Sequence, residues 1–454
     1  MKTQSILDKA REINLDLKWY GSFAEIGAGQ EVARQFFQAG KASQTIALTI
    51  SAYDMTYSDI IYGKEKSGRY VCDSRLQRML QKEFNKLIDR LSTERGKNTC
   101  FFAFADTVAT SAKNSHGWMG VQFQHKPGAE PSEVRLHVRL LDKHRLMQQE
   151  CLSQLGVNLI HCCFYKKSSQ EFTYSLFDQM KLDSVSIDAL HFQGPAFMSF
   201  DEVESNLHLI QAGWSDAILI QPNGKVQNPG DALWGKNILI QRAYYNPVTN
   251  THLDIASKSQ NHFRTEFKLK LTEVTTLFEF TLNNRVKDKT ISITEAQQKI
   301  EMIKALGIPV LISRFSLFYE LKEFLRLATD KPLAIVIGAI HLDKIFDEKF
   351  YFDLNGGLLE GMGKLCDKST RLYIYPHKTK EICLLTKSFF PKKEIKHIYN
   401  HFIENNFVQD IAGCDEIAEF IHSEDVLKMI AAKKPDWKKF VPQEIHQIVQ
   451  KMKN

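Results

Sequence analysis

The sequence predicts an α/β protein: a doubly wound parallel sheet in the carboxy-terminal half, preceded by an α+β amino-terminal domain. Three observations predict it. Past residue 231, short apolar runs alternate with amphipathic helical stretches, the pattern of a parallel sheet covered on both faces. Before that point, strand-like runs follow one another directly. Between the two, Gly224, Asn228, Pro229 and Gly230 crowd into a turn-rich stretch. The reading is therefore an α+β domain over 1–230, a sheet domain over 231–385 and a helical extension over 386–454.

The elements follow in order. Residues 30–38 read as a short helix, 45–52 as a strand and 75–91 as a long amphipathic helix. The stretch 18–24 is a poor strand, with Gly21 and Ser22 inside it. Runs at 99–105 and 120–123 are strand-like, and 134–139 alternates Val134, Leu136 and Val138 with charged residues, as a half-buried strand does. In the second half, 237–241 is a strand, a helix lies around 251–263, and 275–282 is a strand. Thr294 with Gln297 makes a capping box. The helix it opens carries Ile300, Ile303 and Leu306 and stops at Gly307. Pro309 leads a strand at 310–312. Leu317, Leu321, Phe324 and Ala328 stripe a helix over 317–328. The apolar run 333–337 ends at Gly338, and helices around 340–346 and 358–365 precede a strand at 372–375.

Composition excludes several classes. Among 454 residues, 43% are apolar and 25% charged, as in ordinary globular proteins. No run approaches the roughly 18 apolar residues of a membrane helix, and the charged first twenty residues lack a secretory h-region. No membrane partner and a cytoplasmic location are the expectation. The net charge of +6 is mild; it suits anionic small molecules and does not argue for nucleic acid. Eight cysteines show no Cys-x-x-Cys and no zinc spacing, so reduced thiols and no metal site are expected. The chain carries no signal of oligomeric state.

The stretch weighed most follows the strand at 237–241: Ala243-Tyr244-Tyr245-Asn246-Pro247-Val248-Thr249-Asn250-Thr251-His252-Leu253. Pro247 fixes φ, and Thr249, Asn250 or Thr251 can cap the following helix. A helix amino terminus favours anions, and His252 in the first turn is placed to donate to a phosphate oxygen. The bland alternative is a Pro-Thr-Asn turn with an incidental histidine.

This stretch resembles the signature of nucleotidyltransferases, especially nicotinamide/nicotinate mononucleotide adenylyltransferases: Gly-Ser/Thr-Phe-x-Pro, then Thr or His, two residues, and His. The chain differs at Ala243, where the signature has glycine, and at Tyr244-Tyr245, where it has Ser/Thr-Phe. The second signature, Ile-Ser-x-Thr-x-x-Arg, is replaced by Ile312-Ser313-Arg314-Phe315-Ser316-Leu317-Phe318. The resemblance implies a Rossmann-like domain that binds ATP with Mg²⁺ and transfers adenylyl to a mononucleotide. It implies His252 and Thr249 as catalytic residues, and Ala243, Tyr245, Asn246, Pro247 and Asn250 as cofactor contacts. The whole chain is also similar to an uncharacterised bacterial family of about this length. The shared-looking stretches are Phe23–Glu31, Ser51–Met55 and His116–Trp118. Its members carry adenylyltransferase and outer-membrane receptor labels; the missing secretory h-region and the α/β pattern set the expectation against the latter.

In the amino-terminal domain, Glu25-Ile26-Gly27-Ala28-Gly29 resembles the first motif of S-adenosylmethionine methyltransferases. There an acidic residue closing the next strand binds the ribose hydroxyls; Asp54 stands 25 residues after Gly29, and Asp106 closes a later run. Glu25, Gly27, Gly29 and Asp54 are thus a second candidate set, with a plain glycine turn as the bland alternative. His116-Gly117-Trp118 reads as a loop. Three functions are expected to compete: adenylyl transfer from ATP to a mononucleotide, methyl transfer, and a non-catalytic nucleotide-sensing or interaction module.

Overall fold

Two units divide the chain, Met1–Asp216 and Ala217–Asn454, each with its own apolar core. The computed structural model describes residues 4–27, 29–65, 68–110, 115–284, 289–417 and 421–451. The boundary falls ahead of the turn-rich stretch near 230, because residues 217–227 pair into the second unit's sheet.

The first unit runs α1 (Ile6–Leu15), β1 (Trp19–Gly27), α2 (Val32–Ala39), β2 (Ile46–Ile50), α3 (Met55–Tyr62), α4 (Asp73–Arg95), β3 (Cys100–Ala109), β4 (Ser115–Phe123), β5 (Ser132–Leu140), α5 (Arg145–Tyr165), α6 (Ser169–Ser175), β6 (Val185–Gln193) and α7 (Glu202–Gln211). Its sheet has the order β2-β1-β3-β4-β5-β6; β2, β1 and β3 are parallel and the rest antiparallel. One face buries Phe23, Phe102 and Phe104 against Phe36 of α2 and Leu152 and Phe164 of α5. The other carries α4, whose Phe84 and Leu87 meet Phe101 and Ala103. Each such aromatic contributes about 1.5–3 kcal/mol on burial. The strand at β1 escapes a propensity reading because of Gly21, and the fold needs that glycine: a Cβ there would stand 2.5 Å from the Phe102 ring.

The second unit runs β7 (Ala217–Ile220), β8 (Val226–Gln227), α8 (Pro229–Ala232), β9 (Asn237–Arg242), α9 (Asn250–Phe267), β10 (Val274–Thr281), a hairpin of β11 (Asn283–Asn284) and β12 (Lys289–Thr290), α10 (Ile293–Ala305), β13 (Val310–Ser313), α11 (Phe318–Arg326), β14 (Leu333–Gly338), α12 (Leu342–Ile345), α13 (Gly357–Leu365), β15 (Thr370–Tyr375), a hairpin of β16 (His377–Lys378) and β17 (Cys383–Leu384), α14 (Lys396–Glu404), β18 (Val408–Asp410), α15 (Ser423–Ala431) and α16 (His446–Lys451). Its main sheet has the order β18-β15-β14-β9-β10-β13-β7-β8. From β18 to β13 every neighbouring pair is parallel, and β7 and β8 add an antiparallel margin. Ile240, Leu277 and Ile335 face α11 and α13 on one side. Leu239, Val336 and Tyr373 face Ile255 and Phe263 of α9 on the other. Sheet and helices thus form an α/β architecture with both faces covered.

Three expectations are corrected. Residues 386–454 are not a purely helical appendage, since β18 continues the parallel sheet beside β15. Ser292, not Thr294, caps α10: its Oγ accepts the Glu295 N–H at 3.1 Å, and Thr294 already lies in the first turn. Cys383 and Cys414 form a disulfide. No motif spacing could signal it, because the fold alone brings the β16–β17 hairpin beside the segment after β18. The other six cysteines are free and buried. Among the described residues, no helix is long and apolar enough to cross a membrane.

Candidate functional site

The stretch 243–253 leaves the carboxyl end of β9, the strand flanked by β10 on one side and β14 on the other. Ala243 donates its N–H to the Glu279 carbonyl, and the Asn246–Pro247 peptide is cis. Tyr245 is fully buried: its ring stacks on Phe278 with centroids 4.8 Å apart, and its hydroxyl donates to the Gln241 carbonyl at 2.7 Å. It holds a left-handed φ of 51°, a conformation that costs a bulky residue about 1–3 kcal/mol.

His252 turns inward. It is 8% exposed, its ring 5.0 Å from that of Tyr245. Its Nδ1 accepts the Thr249 N–H at 3.0 Å and lies 2.9 Å from Thr249 Oγ1. An Nδ1 that accepts a backbone N–H leaves the proton on Nε2. Burial pushes the imidazole down to about 4, so it is uncharged at neutral pH. The pair Thr249–His252 therefore closes the helix start itself. The chain's own carboxy-terminal segment closes it further: the Asn250 N–H donates to the Phe440 carbonyl at 2.8 Å, Asn250 Nδ2 to the Lys439 carbonyl at 3.0 Å, and Ser423 Oγ to the Pro247 carbonyl at 2.8 Å. The open amide cluster expected at this helix end is occupied by carbonyl oxygen.

Charge gathers beside the turn. Arg242 holds Glu279 through two contacts of 2.5 and 2.9 Å, Ser313 Oγ donates to the same carboxylate at 2.6 Å, and the Phe318 ring lies 5.0 Å from the guanidinium. Glu295 accepts from the Tyr244 hydroxyl at 2.8 Å and from Asn246 Nδ2 at 3.3 Å, and pairs with the fully buried Lys299 at 3.1 Å. Gln241, 2% exposed, has both side-chain amide atoms buried without a hydrogen-bond partner. The sequence motifs hold Tyr244, Asn246, Ser313 and Phe318 of this group; Gln241, Arg242, Glu279, Glu295 and Lys299 were missed. The available signals were a glutamate between Phe278 and Phe280, and Lys299 inside the apolar stripe Ala296–Ile303.

A cavity of about 320 Å³ opens beside Asn246, whose wall continues with Ser292, Thr294, Glu295 and Gln298 at the start of α10. Leu427 and Ile430 of α15 and Val449 of α16 also line it.

In the first unit, Glu25 and Asp106 are register partners on β1 and β3. Glu25 accepts the N–H groups of Val32 and Ala33 at 2.7 and 3.3 Å, filling the amino end of α2 with the chain's own carboxylate. Asp106 is fully buried, inside β3 rather than at its end, and accepts the Ile26 N–H at 3.2 Å; its Oδ2 has no partner. Burial raises Glu25 to about 7 and Asp106 well above the usual carboxylate range, each also raised by a neighbouring acid. Gly27 has φ +79°, and a Cβ on Gly29 would stand 2.2 Å from Asp106 Oδ1. Ala28 lies outside the described residues. Asp54 does not close β2; it caps α3, accepting the Tyr57 N–H at 2.7 Å. His116 and Trp118 lie in β4 rather than a loop, with His116 Nδ1 3.2 Å from His137 Nε2 and His137 Nδ1 3.1 Å from Asp188. Among the described residues, no three His, Cys, Asp or Glu side chains assemble as a metal site.

No protein-family model matches the chain, and no curated protein matches it. Among solved structures it is similar to the competence/damage inducible protein CihA of Agrobacterium tumefaciens. The identity there is 16%, over 35% of this chain and 96% of that one, with a TM-score of 0.26. A competence-damaged (CinA) superfamily protein of Escherichia coli gives 9% identity over 34% and 88%, with a TM-score of 0.26. A competence or damage-inducible protein of Enterobacter asburiae gives 9% over 34% and 94%, with a TM-score of 0.25.

Proposed function

We propose that the second unit is a nucleotide-binding module on a Rossmann-like sheet, taking ATP or a mononucleotide at the turn 243–249. The observation that carries the proposal is positional. Numbered within the parallel set, the strands run 3-2-1-4-5-6, and the turn leaves strand 1 where the order reverses, the crevice at which such sheets take ligands. The orphaned carboxamide of Gln241, two residues before the turn, fits the same reading, since buried polar groups ordinarily meet a partner. Mg²⁺ fits less well. The nearby carboxylates of Glu279 and Glu295 already hold cations of the chain.

Within this reading, binding without turnover is favoured over transfer. Adenylyl transfer from ATP to nicotinamide or nicotinate mononucleotide would ask His252 to meet phosphate, yet its Nδ1 is spent on Thr249 and its charge is suppressed. The transferase alternative rests on the match from Asn246 to Leu253. Calorimetric titration of the full chain with ATP, together with a pyrophosphate-release assay on ATP plus either mononucleotide, tests both. Saturable ATP binding without pyrophosphate is expected. Pyrophosphate release abolished in His252→Ala would restore the transferase reading, and absence of nucleotide binding would remove the module.

A further inference from the structure

The disulfide Cys383–Cys414 ties a small hairpin to the carboxyl edge of the second unit's sheet, where ligands bind in such folds. β16 starts two residues past Tyr375, the last residue of β15 and the register partner of Gly338 at the end of β14. The turn 243–249 leaves the same edge from β9, on the other side of β14. β16 and β17 have two residues each, too few to hold a hairpin by themselves. The covalent link holds it, with Lys378 Nζ, which donates to the Cys414 and Ile417 carbonyls at 2.8 and 3.2 Å. From the hairpin a short path of contacts reaches the turn. The His377 ring lies 5.5 Å from that of His422, centroid to centroid, and the next residue, Ser423, donates its Oγ to the Pro247 carbonyl at 2.8 Å. Both bonded cysteines are partly exposed, whereas the six free thiols are buried. Exposed disulfides are the labile and regulatory ones, and the cytoplasm, the expected location, keeps such bonds only transiently.

We propose that Cys383–Cys414 is a thiol–disulfide switch that regulates the nucleotide turn. The reductant is a dithiol. One of its thiolates attacks a sulfur of the pair, forms a mixed disulfide and expels the other cysteine as thiolate. Its second thiolate then attacks the mixed disulfide, expels the first cysteine and leaves the reductant as a disulfide. Two electrons pass to the pair, and the dithiol's two protons end on the cysteines. Reduction frees the hairpin, slackens the contact of His377 with His422 and loosens the Ser423 hold on Pro247. The turn is then less ordered beforehand, and nucleotide binds it more weakly. The proposal rests on the nucleotide reading above and deepens it by naming how that site is regulated.

Full-length protein is compared oxidised and after dithiothreitol, with maleimide labelling of the folded protein to confirm reduction. Hydrogen exchange read by mass spectrometry needs no nucleotide. Reduction speeds exchange about fivefold or more over 377–384 and over 246–252, and leaves the first unit unchanged. Calorimetric affinity for ATP falls about fivefold or more. The double variant Cys383→Ser/Cys414→Ser behaves as the reduced protein with or without dithiothreitol. Oxidised His377→Ala, which keeps the disulfide and loses the ring contact, already exchanges fast over 246–252. Faster exchange confined to the hairpin, a disulfide that survives dithiothreitol in the folded protein, or equal ATP affinity in both redox states overturns the switch and leaves the nucleotide module standing. Absence of ATP binding in either state removes the nucleotide reading, and exchange over 246–252 still decides whether the disulfide governs the turn.

Discussion

Burial sets protonation in both units. It holds His252 uncharged, and together with the nearby Glu31 carboxylate it holds Glu25 towards its acid form. In an unfolded chain Glu25 would titrate near 4.3, against about 7 in the fold. Raised in the native state, it contributes stability fully below about pH 4.3, and that contribution is lost as pH rises through about 7. Asp106→Asn keeps an acceptor for the Ile26 N–H and removes a carboxyl that burial and the neighbouring Glu25 raise. Its melting temperature should fall less steeply between pH 5 and 8 than that of the unaltered protein, with a gain of about 1–2 kcal/mol at pH 8. Parallel pH profiles for the two proteins would contradict the pairing. Neither protonation state was legible in the sequence. Glu25 stood in a glycine-turn motif, but its partner lies 81 residues away and meets it only through the register of β1 with β3. For His252 the residue type and its place in the first turn were readable, and the direction in which the ring faces was not.

At the scale of elements, caps decide helix starts. Ser292 holds the Glu295 N–H, whereas Thr294 lies one step too far along. Ser292→Ala should destabilise the protein by about 1 kcal/mol and Thr294→Ala by only a few tenths, read from urea midpoints at constant m. Equal effects would return the cap to Thr294. The alternation of Val134, Leu136 and Val138 gave β5 its place within two residues at either end. The apolar runs of β13 and β14 were equally plain, because a strand buried on both faces needs continuous hydrophobicity. β1 stayed hidden, since Gly21 lowers strand propensity for a packing reason visible only beside Phe102. The candidate turn was found as a turn. Its closure by Phe440 and Lys439 was not, because those contacts span about 190 residues of chain.

For the whole molecule, two cores imply two cooperative events, so a single unfolding midpoint is not expected. Only the second unit carries the disulfide, which closes a loop of 31 residues. Such a loop is worth about 3.7 kcal/mol on chain entropy. Dithiothreitol should lower one calorimetric transition and leave the other in place; a shift of both, or of neither, would contradict that assignment. The parallel order of the second unit was legible in outline from alternating runs, whereas its antiparallel margin was not, because β7 and β8 lie before residue 231, where the sheet domain was expected to begin. That larger sheet begins and ends with very short members, Val226–Gln227 at one rim and Val408–Asp410 at the other. So little backbone is left there for a foreign chain to zip onto that concentrated solutions should be spared fibre seeding from this half.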